Sequence, residues 1–264
     1  MAFDASRDIL ALDFDGVIAD SIEECLVVGH NAYTRFQGEG QALESLQQLA
    51  PAIARAAREM RNFIRFGEDY VYIHMALSQA AAITNQLEFD DFLDKNQTVR
   101  EEFRRLFYAE RLRFLEEQPG QWLHLNPFYA GVRTFLRDFR PRERLYIITT
   151  KKTTYVERIL DNAGIDLLPG HIFLADKDRS KTEIIAELLG RHKQKPKRFY
   201  FIDDQVDTLL KAQSTGVRLL LAKWGYTNDN QVKMARNAGI TILEPDDFFI
   251  HFSGFSPKSH FSQE

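Results

Sequence analysis

Short apolar runs ending in polar residues occur near the start of the chain and again in its second half. A long stretch between them follows a different period. The first run, Ile9–Leu12, is too short for a helix, and in the context DILALDFDG it predicts a buried parallel strand. From Val17 to Phe36 the spacing becomes helical, with Val17, Ile22, Leu26 and Tyr33 sharing an apolar face. Residues 44–117 are rich in Ala, Leu, Arg, Gln and Glu, with glycine only at Gly67. This composition predicts helices over 43–48, 51–66, 69–86 and 89–117, the last breaking near Asn96. Pro51 suits a helix start and Asp69 a cap. No strand pattern interrupts this region.

The α/β rhythm then returns. Residues 128–139 read as a helix, and 145–148 as a strand ending at Thr149 and Thr150. Residues 153–162 form a predicted helix closed by Gly164, followed by a strand over 171–174. A helix over 180–189 closes at Gly190, and a strand over 198–202 ends at Asp203 and Asp204. A helix over 207–214 closes at Gly216, and a strand follows over 217–221. A helix over 231–237 closes at Gly239, and the last strand covers 241–243. The tail from Ser253, rich in Ser, Pro, Gly and Phe, is expected to be loosely held. The fold class is α/β: a Rossmann-like, mostly parallel sheet with both faces covered and an inserted all-helical domain. The expected boundaries are 1–19 and 126–264 for the core and 20–125 for the insert.

Composition narrows the function classes. The chain has 264 residues, 44% of them hydrophobic, which suffices for a core plus an accessory domain. A net charge of −4 with mixed signs does not fit a general nucleic-acid binder. The basic run RHKQKPKR, residues 191–198, falls in a helix-to-strand loop and reads most simply as charged surface. Cys25 is the only cysteine, so no internal disulfide forms. The start MAFDASRDIL has no secretory pattern, and no apolar stretch reaches the ~18 residues of a membrane span. A cytoplasmic protein, monomeric or homodimeric, with neither nucleic-acid nor membrane partners, is expected.

In parallel α/β sheets ligands bind beyond the carboxyl ends of the strands. Three such ends carry polar groups: Asp13-Phe14-Asp15-Gly16, Thr149-Thr150 and Asp203-Asp204. Ser180-Lys181 lies at a helix start between the last two. Asp13 and Asp15 begin on the same side of their strand, where two carboxylates repel unless a cation or proton intervenes. A hard dication such as Mg²⁺ resolves the repulsion, and Asp203 and Asp204 offer further oxygens. The Thr149 hydroxyl and N–H suit phosphoryl oxygens. Lys151, Lys152, Lys177 and Lys181 all compete, on charge alone, to neutralise a phosphate. Each element alone also fits an ordinary solvated strand end or helix cap; their convergence is what points to chemistry.

These residues resemble the motifs of the haloacid dehalogenase-like (HAD) hydrolases. Asp13-Phe14-Asp15-Gly16-Val17 is similar to the family's first motif, and Ile147-Ile148-Thr149 to its second. Lys181 matches the third best, and Phe201-Ile202-Asp203-Asp204 the fourth. Asp203 to Asp207 also has the family's alternative acidic spacing, although Ile202 stands where that form has glycine. The resemblance implies that Asp13 is a nucleophile forming an aspartyl-phosphate and that Asp15 is the general acid and base. It implies Mg²⁺ held by Asp13, the Asp15 carbonyl and Asp203, with Asp204 or Asp207 assisting. Thr149, Thr150, Lys181 and the backbone around Gly16 would hold the phosphoryl group. Asp15 favours phosphatase or phosphomutase chemistry, since dehalogenases of the family lack it.

The insert resembles the family's C1-type helical cap, though longer than usual. Thr149-Thr150-Lys151 and Trp224-Gly225-Tyr226 resemble the phosphoglycolate phosphatase-like branch, with Thr150 in place of the common asparagine. The expected substrate is a small phosphorylated metabolite. A phosphomutase of the β-phosphoglucomutase type and a non-catalytic binding or regulatory protein are the alternatives. Arg55, Arg58, Arg61 and Arg65 fall roughly on one helix face, which fits either an anion-facing lid or, more simply, a solvated surface. Tyr70, Tyr72, His74 and Trp122 are further cap candidates, read first as packing residues.

Overall fold

The computed structural model describes residues 3–252. The tail from Ser253, expected to be loosely held, lies outside the described residues. Two compact units emerge: Met1–Asp20 with Phe128–Glu264, and Ser21–Pro127.

The first unit is built on six strands: β1 (Ile9–Leu12), β2 (Leu145–Thr149), β3 (Ile172–Leu174), β4 (Phe199–Asp203), β5 (Arg218–Ala222) and β6 (Thr241–Leu243). They form one sheet in the order β3-β2-β1-β4-β5-β6. Every pairing is parallel. β1, β2 and β4 are buried along their whole length, as expected of parallel strands covered on both faces. Leu12 lies in register with Ile147 of β2 and with Ile202 of β4. The strand order reverses direction beside β1, so the crevice between the ends of β1 and β4 is the switch point where such sheets bind ligands.

The inserted unit carries α1 (Ile22–Gln37), α2 (Pro51–Met60), α3 (Asp69–Ser78), α4 (Gln86–Lys95), α5 (Arg100–Glu117) and α6 (Pro119–His124). Its interior contains a charged node. Glu24, fully buried, accepts two N–H groups from Arg111, both at 2.8 Å, and one from Trp122 Nε1 at 3.0 Å. His74 of α3 donates Nε2–H to the Leu26 carbonyl of α1 at 2.9 Å. The expected break near Asn96 is real, because Asn96 closes α4. The expected helix over 43–48 shrinks to one 3₁₀ turn, Leu46–Gln48, held by a Ser45 capping box. α6 was not anticipated from the sequence.

The helices of the first unit are α7 (Val132–Asp138), α8 (Thr153–Asn162), α9 (Lys181–Arg191), α10 (Val206–Ala212), α11 (Asp229–Asn237) and α12 (Pro245–Phe252). One sheet face, carrying Ile9, Ala11, Ile148, Phe199 and Phe201, packs on Ile184, Leu188, Leu209 and Val232 of α9, α10 and α11. On the other face Tyr200 meets Phe252 of α12 edge-on at 5.6 Å, and Phe248 packs on Phe135 of α7 at 4.7 Å. The sequence pattern predicts no element over the residues of α12. α9 runs through Gly190, the expected stop, to Arg191, and the left-handed turn falls at Lys193 instead.

Residues 17–19 do not begin the first helix, contrary to their spacing. They close a tight turn in which the Phe14 carbonyl accepts from the N–H groups of Ile18 and Ala19 at 2.9 and 3.0 Å. Val17 and Ile18 are buried within this turn. Ala19 bridges to Phe128, and Tyr129 N–H donates to the Ile18 carbonyl at 3.1 Å. The chain therefore leaves for the inserted unit and returns from it at adjacent points. Among the described residues no helix is long and apolar enough to cross a membrane.

Candidate active site

Four loops at the carboxyl ends of β1, β2, β4 and β5, together with the start of α9, supply the polar groups. Asp13 extends β1 by one rung, its N–H donating to the Ile202 carbonyl at 2.9 Å, which places its carboxyl at the sheet edge. Phe14 N–H donates to Asp13 Oδ1 at 2.7 Å. Gly16 adopts φ +89°, a left-handed conformation that side chains other than glycine disfavour. Its N–H donates to the Ala19 carbonyl at 2.9 Å.

Lys181 stands at the first residue of α9, set there by a capping box between Ser180 and Glu183. Its Nζ lies 2.8 Å from Asp13 Oδ2 and 2.8 Å from Asp203 Oδ2, so one ammonium bridges two strand ends. Asp203 Oδ1 accepts from Gln205 N–H at 2.8 Å. Asp204 Oδ2 accepts from Tyr226 N–H at 2.9 Å, and Tyr226 OH donates to Asp20 at 2.9 Å. Trp224 Nε1 donates to the Val17 carbonyl at 3.1 Å. The Trp224-Gly225-Tyr226 loop thus braces both Asp204 and the turn that follows β1.

Asp13, Asp203 and Asp204 are buried, and each offers an oxygen within 4.8 Å of the others. Burial, reinforced by the charges of Asp203 and Asp204 and opposed by Lys181, pushes the Asp13 carboxyl up to about 8. Burial works against the Lys181 ammonium, but Asp13 and Asp203 outweigh it and hold Lys181 above the usual lysine value. Three buried carboxyl groups share this bridging ammonium, too little positive charge to keep all three ionised, and they present hard oxygen donors. That donor set fits a hard divalent cation.

Thr149 is buried at the end of β2, and its Oγ1 accepts from Lys151 N–H at 3.1 Å. Its hydroxyl proton remains able to donate. Lys151 reaches across to Asp15, Nζ to Oδ1 at 3.0 Å. Thr150 is exposed. Asp207, half-buried in the first turn of α10, is not one of the three clustered carboxylates.

The structure sorts the four competing lysines. Lys181 joins Asp13 and Asp203, and Lys151 joins Asp15, while Lys152 and Lys177 are exposed. Asp20 and Gln205 are site neighbours that the sequence does not single out, and Lys151, one of the four competing lysines, pairs with Asp15 rather than with Asp13. The cap arginines do not share one environment. Arg55 and Arg58 are exposed, Arg61 is buried 5.6 Å from the Tyr70 ring centre, and half-buried Arg65 donates to the carbonyls of Asn62 and Ile64. Tyr70, Tyr72, His74 and Trp122 are all buried within their unit.

A family model of haloacid dehalogenase-like hydrolases matches residues 8–216. The fold is shared with a haloacid dehalogenase-like family hydrolase from Streptococcus pneumoniae at a TM-score of 0.55 and 16% identity, covering 94% of this chain and 98% of that one. It is also shared with a protein named as a predicted phosphoglycolate phosphatase from Haemophilus somnus, at a TM-score of 0.59 and 19% identity, with coverages of 92% and 96%. A predicted phosphatase from Clostridium acetobutylicum matches at 0.56 and 12% identity, with coverages of 93% and 96%. A search of the curated proteins finds no match.

Proposed function

The chain belongs to the haloacid dehalogenase-like hydrolases, and from that premise we propose that it is a Mg²⁺-dependent phosphomonoester hydrolase acting on a small phosphorylated metabolite. The observation that carries this reading is Lys181 Nζ at 2.8 Å from both Asp13 and Asp203, with Asp204 buried beside them. A carboxylate attacks a phosphate dianion only where nearby positive charge offsets their repulsion. Asp13, Asp203, Asp204 and the Asp15 carbonyl would hold Mg²⁺, which supplies the remainder of that charge when bound.

In this reading each residue has one task. An oxygen of Asp13 attacks phosphorus, and the bond from phosphorus to the substrate's alcohol oxygen breaks. Asp15, two residues on and half-buried, delivers a proton to that oxygen. It then takes a proton from the water whose oxygen attacks the aspartyl-phosphate, which frees Asp13 and inorganic phosphate. Lys181, the Thr149 hydroxyl and Thr150 hold the phosphoryl oxygens. The names of related structures in the same fold, among them a predicted phosphoglycolate phosphatase, support the phosphomonoester class.

The test is phosphate release from a panel of phosphorylated metabolites, in Mg²⁺ and in EDTA, by the wild type and by Asp13→Asn. Release that needs Mg²⁺ and disappears in the variant is the expected result. Release that survives in Asp13→Asn would remove the nucleophile assignment, and no release from any compound would remove simple hydrolysis.

A further inference from the structure

Two lysines enter the site, and they serve different carboxylates. Lys181 sits between Asp13 and Asp203. The Lys151 side chain is 1% exposed and ends 3.0 Å from Asp15 Oδ1, joining residues 136 apart in the chain. Burying an ammonium is unfavourable unless it is paired and hydrogen-bonded, so this burial is tied to its partner. Both ends of the lysine are located. Its backbone N–H is anchored on Thr149 Oγ1, and its Nζ lies 5.9 Å from the Phe14 ring centre.

Asp15 is placed differently from Asp13. Asp13 is locked into the β1–β4 ladder, whereas Asp15 stands past the strand end, its backbone bridged to Ala19 and its side chain 21% exposed. A short side chain in that position has rotamers that point away from a reacting oxygen. Proton delivery tolerates little displacement, since the donor must come within hydrogen-bond reach of the leaving atom.

We propose that Lys151 is the positioning residue for Asp15: its buried ammonium, braced on Thr149, holds the Asp15 carboxyl where it meets the leaving alcohol oxygen. The inference rests on the acid and base role proposed for Asp15. It assigns Lys151 to proton transfer at the leaving group, not to charge neutralisation on the phosphoryl group, which falls to Lys181. No covalent bond to Lys151 is involved, and it keeps its own protons throughout.

The leaving group provides the discriminating measurement. A 2,4-dinitrophenolate departs without a proton, whereas an alkoxide needs one. Wild type, Lys151→Met and Lys151→Arg are compared on 2,4-dinitrophenyl phosphate, 4-nitrophenyl phosphate and an alkyl phosphate in saturating Mg²⁺. Lys151→Met is expected to lose about 10²-fold in kcat/KM on the alkyl ester and under about 10-fold in kcat/KM on the dinitrophenyl ester, because kcat/KM reports the leaving-group step without the later hydrolysis that Asp15 also serves. Lys151→Arg, which restores a cation, is expected to recover part of the alkyl rate. The ratio of the two rates within one variant does not depend on how much of the preparation is folded. An equal loss of kcat/KM on every ester would overturn the proposal. If the wild type hydrolyses none of the esters, the phosphatase reading fails first and this inference fails with it.

Discussion

Gly225 lies so close to Asp204 that a Cβ on the glycine would sit 2.4 Å from the Cβ of Asp204, and 2.3 Å from the Gly16 carbonyl oxygen. Real Cβ atoms do not approach backbone oxygen so closely, so any side chain at 225 must push these neighbours apart. The same loop gives Asp204 its Tyr226 N–H bond.

Gly225→Ala is therefore expected to cost about 1–3 kcal/mol of stability through overpacking. It should also raise the Mg²⁺ concentration needed for half-maximal phosphate release by about 10-fold, in line with losses seen when the supports of metal ligands are disturbed. Urea unfolding and a Mg²⁺ titration of activity check the two effects. An alanine variant with wild-type metal response would show that Asp204 tolerates displacement.

Asp204 and Asp207 competed from the sequence as the second acid of the fourth motif, and geometry favours Asp204. Asp204→Asn is expected to weaken Mg²⁺ dependence by about 10-fold or more, whereas Asp207→Asn stays within about 3-fold of wild type. Saturating Mg²⁺ should also raise the melting temperature of the wild type and of Asp207→Asn by several degrees, since a cation that binds only the folded state stabilises it. In Asp204→Asn that rise should largely vanish.

His74 makes the inserted unit acid-sensitive. Burial, and then the neighbouring His30, hold its imidazole down to about 3, against 6.5 when exposed. The folded state binds this proton less readily than the unfolded one, so the neutral ring's contribution is full above pH 6.5 and is lost as pH falls toward 3. At pH 5 the loss from this group is about 2 kcal/mol. Urea unfolding at pH 7 and pH 5 measures it, and in His74→Phe the part of the slope due to this residue should disappear.

Arg111 and Glu24 form the buried ion pair of the inserted unit, both exposed by less than 6%. Arg111→Ala leaves the Glu24 carboxylate buried without its guanidinium and is expected to cost about 3–5 kcal/mol. The double variant Glu24→Gln with Arg111→Met should cost less than the sum of the single changes by about 1 kcal/mol or more. Additive costs in urea unfolding would show that the pair is not coupled.

Much of the sheet was legible because buried parallel strands announce themselves as short apolar runs, and those runs end in the residues that carry chemistry. Asp13, Thr149 and Asp203 stand at the ends of β1, β2 and β4, where the apolar runs stop. Partnership was less legible. Four lysines had the same charge, and only the fold shows that Lys151 crosses from β2 to Asp15 while Lys177 faces solvent. Local stop signals also misled. Gly190 reads as a helix end, yet α9 runs on to Arg191 and the left-handed turn is taken by Lys193. Val17 and Ile18 have helical spacing, but their apolar side chains fill the turn after β1. α12 starts at Pro245, and its Phe248 and Phe252, four apart on one face, meet Phe135 and Tyr200.

The Ala19–Phe128 bridge has a consequence for how this chain can vary. The long helical excursion starts and finishes at one doorstep, so the sheet registers no difference between a long detour and a short one. Doubling the length of such a loop changes its closure entropy by only about 0.6 kcal/mol. The helical unit is thus an exchangeable cassette: a graft between residues 20 and 128 replaces it while every strand of the core stays in place.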